Sequence, residues 1–208
     1  MTRRRKDDQA ELQQELAEAD SQPTGRGPWD VLDRPVEDDD PERAHLGALS
    51  VPGHPETELR LQVEEESGQV AAVVMVAQDG ALEIRPFAAS RNHDMWAEVL
   101  PQLRDDIARQ GGQSEDVEGP YGPALRTVVA GQTPEGETVQ QPALLLGVNG
   151  PRWLLRVTAF GRPAMEWRED GLLERQLADV VVLRGTGPMA PGDMLPLTLP
   201  ADARRSEA

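Results

Sequence analysis

The sequence predicts an α+β fold, one domain of antiparallel sheet carrying two main helices. Three observations predict it. Three strand-like runs lie between Glu58 and Arg85, separated by turn signals: the first and last alternate apolar with polar residues, and Val70–Ala77 between them is continuously apolar. An apolar stripe at three- and four-residue spacing runs from Met95 to Ile107 and marks an amphipathic helix. Two further apolar runs, Ala143–Val148 and Trp153–Phe160, flank Asn149-Gly150 as a hairpin. Strands thus come in groups rather than alternating with helices, which argues against a doubly wound parallel sheet.

The elements follow in order. Residues 1–45 read as a disordered acidic arm, rich in Pro and Gly around the cluster Glu37-Asp38-Asp39-Asp40. Within it, Glu11–Ala19 has helical spacing, with Leu12, Leu16 and Ala19 on one face, a stripe too thin to hold a helix alone. The island Gly27-Pro28-Trp29-Asp30-Val31-Leu32 should dock on a surface, its own domain being favoured over a partner. The domain is expected over residues 46–200, beginning with a strand at Leu46–Val51. Leu59, Leu61 and Val63 face one way and Glu58, Arg60 and Gln62 the other. Val70–Ala77 follows as a central strand, and Asp79-Gly80 turns the chain into Leu82–Arg85.

Asn92 or Asp94 can cap the helix, Gly111-Gly112 can end it, and Pro101 should kink it or delay its start. A strand at Ala124–Ala130, a loop over Gln132–Thr138 and the Ala143–Phe160 hairpin come next. Pro151 has no N–H to close a two-residue turn, so the hairpin loop should be longer, with Gly147 and Arg152 near its ends. Glu169–Asp179 predicts the second helix, capped by Asp170, and Val180–Leu183 a last strand. Beyond Gly185, a Pro- and Leu-rich segment should lie extended over apolar surface, and residues 201–208 should be a free tail.

Composition narrows the function. The net charge of -16 disfavours nucleic acid and anionic membranes as partners, since both call for a basic surface. The absence of cysteine excludes disulfides, thiolate catalysis and Cys-based metal sites. No apolar run reaches the roughly 20 residues that span a bilayer, and the basic start Thr2–Lys6 leads into polar sequence, so a cytoplasmic location is expected. His45, His54 and His93 form no zinc spacing, and Ser50 and Ser90 lie in no nucleophile elbow. Gly119-Pro120-Tyr121-Gly122 lacks the Lys-Ser/Thr of a phosphate loop. No catalytic residue, cofactor or metal is therefore assigned.

Arginine remains. Arg152, Arg156 and Arg162 cluster around the hairpin. On the strand Trp153–Phe160, Trp153, Leu155, Val157 and Ala159 make the core face, which leaves Arg156 and Thr158 pointing outward. These arginines either pair with the protein's own carboxylates or receive an acidic partner peptide or an anionic ligand. The functional expectation is a non-enzymatic interaction or regulatory protein that meets a protein partner through Arg152, Arg156, Arg162 and Trp29. The alternative is a small anionic-ligand-binding or enzymatic domain.

Several stations along the chain carry a family resemblance: Gly27-Pro28-Trp29-Asp30, Leu46-Gly47-Ala48-Leu49, Phe87-Ala88-Ala89, Trp96 and Glu118-Gly119-Pro120-Tyr121-Gly122. The series continues with Gly150-Pro151-Arg152-Trp153-Leu154-Leu155-Arg156, Val181-Val182-Leu183-Arg184-Gly185 and Leu195-Pro196-Leu197-Thr198-Leu199-Pro200. Through them the sequence resembles the actinobacterial family called domain of unknown function 3710. The resemblance implies an intracellular actinobacterial protein and brings no activity, cofactor or catalytic residue with it. In order of elements the chain is also similar to the Mog1/PsbP-like α/β sandwich, an analogy of topology that carries no function.

Overall fold

The computed structural model describes residues 26–64, 67–91, 93–132 and 138–199. Strands β4 (Glu58–Val63), β5 (Val70–Ala77) and β6 (Gly80–Ala88) form the expected meander, with Ala77 opposite Gly80 across the Asp79 turn. β10 (Trp153–Gly161) lies antiparallel to β6, followed by β9 (Thr138–Asn149), β8 (Gly122–Gln132) and β7 (Ser114–Gly119). The result is a seven-stranded antiparallel sheet in the order β4-β5-β6-β10-β9-β8-β7. β7 is an element the alternation did not reveal. Its sequence SEDVEG offers only Val117 to a core, as suits an edge strand that pairs on one side.

A second, four-stranded sheet has the order β1-β11-β3-β2, from β1 (Trp29–Asp30), β2 (Arg43–His45), β3 (Leu49–Pro52) and β11 (Val181–Val182). This corrects the expected arm and the domain start at residue 46: β1 and β2 precede that boundary. Local composition is too polar to order residues 26–45, but distant backbone does so. Trp29 N–H donates to the Val180 carbonyl at 2.9 Å and Val31 N–H to that of Val182 at 3.1 Å. The Trp29 island therefore docks on its own domain. The expected behaviour of residues 1–25 and of the tail 201–208 concerns residues outside those described.

The two sheets enclose the main core. Met75, Leu82, Ile84, Leu155 and Val157 of the large sheet meet Leu49, Val51 and Val182 of the small one and Leu46 between β2 and β3. Two short helices, α2 (Arg162–Met165) and α3 (Leu172–Ala178), close this layer through Ala164, Leu173 and Leu177. Trp153 is the largest fully buried side chain here. Its indole N–H donates to Asp30 Oδ2 at 2.8 Å, while Asp30 Oδ1 accepts from Leu32 N–H at 2.9 Å. The Pro-rich segment is extended, as expected. It stitches both sheets, with Leu195 N–H donating to the Pro86 carbonyl at 2.9 Å and Ala48 N–H to the Pro196 carbonyl at 3.0 Å.

The opposite face of the large sheet carries the long helix α1 (Met95–Arg109 in the chain), which packs on β7, β8 and β9. Asp94 caps it, accepting from Ala97 N–H at 3.0 Å. The helix starts at Met95 and runs through Pro101, so of the two expected effects of that proline the delayed start does not occur. Two bonds anchor the turn before that proline: Trp96 N–H to Asn149 Oδ1 at 3.2 Å, and Trp96 Nε1–H to the Pro123 carbonyl at 2.6 Å. The Trp96 ring lies on Gly147, where an added Cβ would sit 2.0 Å from it. Gly147 is thus not near the end of the hairpin loop. It pairs with Arg156 inside the ladder, and the loop is Gly150–Arg152. The expected Asp170 cap on α3 is also absent: Gly171 holds that position and Asp170 pairs with Arg168.

Two expectations on stability follow. Asp30→Ala strips the acceptor from two N–H groups and should cost about 1–3 kcal/mol in urea denaturation. Asp30→Asn, which keeps an amide oxygen for one of them, should cost less, and equal losses would contradict the assigned bonds. Gly147→Ala should cost about 1–3 kcal/mol through collision with Trp96. Gly187→Ala, which meets nothing within 4 Å, should stay within about 0.5 kcal/mol of wild type.

Candidate functional site

Strand β10 and the residues that flank it carry all three suspect arginines, but into different surroundings. Arg162, just past its end, is absorbed by the fold. Its Nη1 and Nη2 donate to the two carboxylate oxygens of Glu174 at 2.7 and 2.9 Å, its Nε to Asp79, and Nη1 also to the Glu166 carbonyl at 3.1 Å. The Glu174 side chain is 1% exposed. Burial alone would raise the Glu174 carboxyl, but the bonds from Arg162 and the Arg168 backbone N–H outweigh it and hold the pKa below the ordinary glutamate value. The same bonds raise the pKa of Arg162, Glu174 contributing most and Asp79 next. With four of its five N–H groups engaged, Arg162 is a clamp joining the β5–β6 turn to α3.

Arg156 differs. It stands on the face of the large sheet that bears α1, and its guanidinium lies 5.3 Å from the Phe87 ring centroid, a cation–π distance. Directly across the ladder is another arginine, Arg85. Arg85 donates to Glu83 at 2.7 Å and to Gln62 at 3.0 Å. Arg156 makes no hydrogen bond or ion pair among the described residues. Burial and then the charge of Arg85 lower its pKa, with Glu83 opposing, and it stays a cation at neutral pH. Arg152, in the hairpin loop, is likewise half-exposed with a guanidinium unpartnered among the described residues, although its carbonyl accepts from Ala89 N–H at 2.9 Å.

Helix α1 covers β7–β9, and among the described residues no helix packs extensively on the β4–β5–β6 part of this face. Across it runs the row Arg60, Val74, Glu83 and Thr158, beside the row holding Arg85 and Arg156. Trp29, the fourth suspect, is half-buried in β1 with an enclosed indole N–H that has no partner among the described residues. The structure therefore groups Arg156 with Arg85 and Phe87, leaves Arg152 at the neighbouring turn, and sets Arg162 and Trp29 apart. Arg85 and Phe87 were missed by sequence reasoning. Alternation puts Arg85 on an outer face, but only the register of β6 against β10 places it opposite Arg156.

Elsewhere, His45 and His54 line a shallow cleft of about 1070 Å³ whose cations are already held. Arg34 pairs with Asp179, and Arg43 donates to Ser50 Oγ at 2.8 Å and to the Asp179 carbonyl at 2.8 Å. His93 faces Glu98 at 3.0 Å. No group of three or more metal-type ligands converges among the described residues. Nor is any described helix long and apolar enough to cross a membrane.

Residues 27–206 match the family model described as protein of unknown function (DUF3710), and the chain belongs to that family. No curated protein matches it.

The Arg162–Glu174 clamp predicts a pH dependence. A folded-state pKa held below the unfolded one adds stability above the unfolded value of about 4.3, and this is lost as pH falls through the folded pKa. Wild type should therefore lose denaturation midpoint below about pH 4.5. Glu174→Gln should flatten that slope, and Glu174→Ala should cost about 3 kcal/mol at pH 7. An unchanged acid limb in the Gln variant would show that the clamp does not govern it.

Proposed function

We propose that this family member is a non-enzymatic interaction protein whose uncovered sheet face receives an acidic segment of a protein partner. The observation that carries the reading is Arg156. In a chain of net charge -16, a half-buried arginine faces a second arginine across the ladder and has no carboxylate bonded to it among the described residues. Like charges placed opposite each other in a sheet are unfavourable, and an incoming carboxylate would relieve the repulsion. Planar guanidinium groups suit such recognition, and Arg152 at the adjacent turn extends it. Thr158 and Val74 supply uncharged surface beside the cations. A cytoplasmic location fits this role.

The test is affinity capture from native lysate with wild type, Arg152→Ala/Arg156→Ala and Arg109→Ala, the last being an exposed arginine at the far end of α1. A partner should be retained by wild type and Arg109→Ala and lost by the double variant. With the purified partner, the double variant should bind at least tenfold more weakly than wild type, and its binding should be less salt-sensitive. Identical partner sets for all three folded proteins would overturn the reading.

A further inference from the structure

The ladder between β5 and β6 ends at the pair Val73 and Ile84. Beyond it the Pro-rich segment takes the place of β5 along β6. Ala88 N–H donates to the Asp193 carbonyl at 2.7 Å, Gly192 N–H to that of Ala88 at 2.9 Å and Leu195 N–H to that of Pro86 at 2.9 Å. These bonds set Met194 opposite Phe87 in an antiparallel bridge, and Leu154 of β10 stands opposite Phe87 on its other side. Residues opposite each other in a ladder share a face. Leu154, Phe87 and Met194 therefore make an apolar row on the face that bears Arg156. Alternation agrees, since the next residue, Leu195, is fully buried in the main core on the opposite face.

Two residues along the same strands, about 7 Å away, runs the row of Arg85 and Arg156. Phe87, in the middle strand, neighbours both groups: the Arg156 guanidinium lies 5.3 Å from its ring centroid, and Met194 is its bridge partner. Leu154 is buried with Trp96 and Leu100 of α1, and Phe87 packs against that cluster. Met194 is half-buried yet belongs to neither core cluster among the described residues. The two carboxylates beside these rows are engaged. Glu83 accepts from Arg85 at 2.7 Å, and Asp193 Oδ2 accepts from Ala190 N–H at 3.0 Å. A cation without a bonded carboxylate thus stands next to an apolar side chain without a core.

We infer that the acidic segment received on this face carries a large apolar side chain two residues from its carboxylate, and that Met194 selects it. The inference rests on the acidic-partner reading above and names the second half of the recognition element. In an extended segment, side chains two positions apart point the same way about 7 Å apart, which matches the spacing of the two rows. The carboxylate meets Arg156 while the apolar group packs on Met194 and the exposed part of Phe87. A flexible, polarizable thioether beside an aromatic ring suits that contact.

The test is calorimetric titration of the full-length protein at low salt with three end-capped peptides. They are Phe-Thr-Glu-Thr-Phe, which offers the apolar group on either side of the acid, Ser-Thr-Glu-Thr-Ser and Phe-Thr-Gln-Thr-Phe. Wild type should bind the first roughly tenfold more tightly than the second, the gain expected from burying part of one apolar side chain. Met194→Ser should abolish that preference, and Met194→Leu, which keeps an apolar surface, should retain it. A preference that survives Met194→Ser, no preference in wild type, or no binding of the first peptide at millimolar concentration would overturn the inference alone. Equal binding of the Glu and Gln peptides by wild type would overturn the acidic-partner reading along with it.

Discussion

The indole of Trp153 bonded to the carboxylate of Asp30 is the contact on which the two-sheet arrangement depends. Trp153 opens β10, the strand at the middle of the seven-stranded sheet, and Asp30 belongs to a two-residue strand at the edge of the other. A buried indole needs an acceptor and a buried carboxylate needs donors, so each makes the other affordable in the core. The bond sets how the small sheet sits on the large one. Through the neighbouring Trp29 and Val31 backbone, it also decides where β11 runs.

Glycine makes the same economy possible elsewhere. Aromatic residues are only 3% of this chain, so each large ring fills much of its layer. Trp153 lies against Gly150 and Trp96 against Gly147, where a Cβ would come within 2.0 Å of the ring in either case. Both glycines come from one hairpin, and the two rings lie in the cores on opposite sides of the sheet. The segment that carries Arg152 and Arg156 is therefore equally a pair of sockets for indoles.

What could be read from sequence was what short-range pattern encodes. The meander β4–β6 showed in the alternation of its outer strands, the unbroken apolar run of β5 and Asp79-Gly80, and α1 in its stripe and Asp94. The chain's outward face at Arg156 and inward face at Trp153 followed from period two. What escaped depended on distant partners. β1 and β2 have almost no pattern of their own and exist because β11 and β3 hydrogen-bond them. β7 has one large apolar residue. Arg162 looked as free as Arg156, because its carboxylates lie 12 and 83 residues away in sequence. Arg85 became part of the site only through the β6–β10 register.

The parallel pairing of Trp29 with Val181 has a consequence for how the molecule is made. During synthesis, the segment that contains β1 emerges early and must wait for nearly the whole domain before its partner strand exists. The meander can close as soon as residue 88 is free, since its contacts are local. The small sheet cannot. Until β11 arrives, the face of the large sheet bearing Leu155 and Val157 is left without part of its cover, a window in which a nascent chain is open to chaperones and to misassociation.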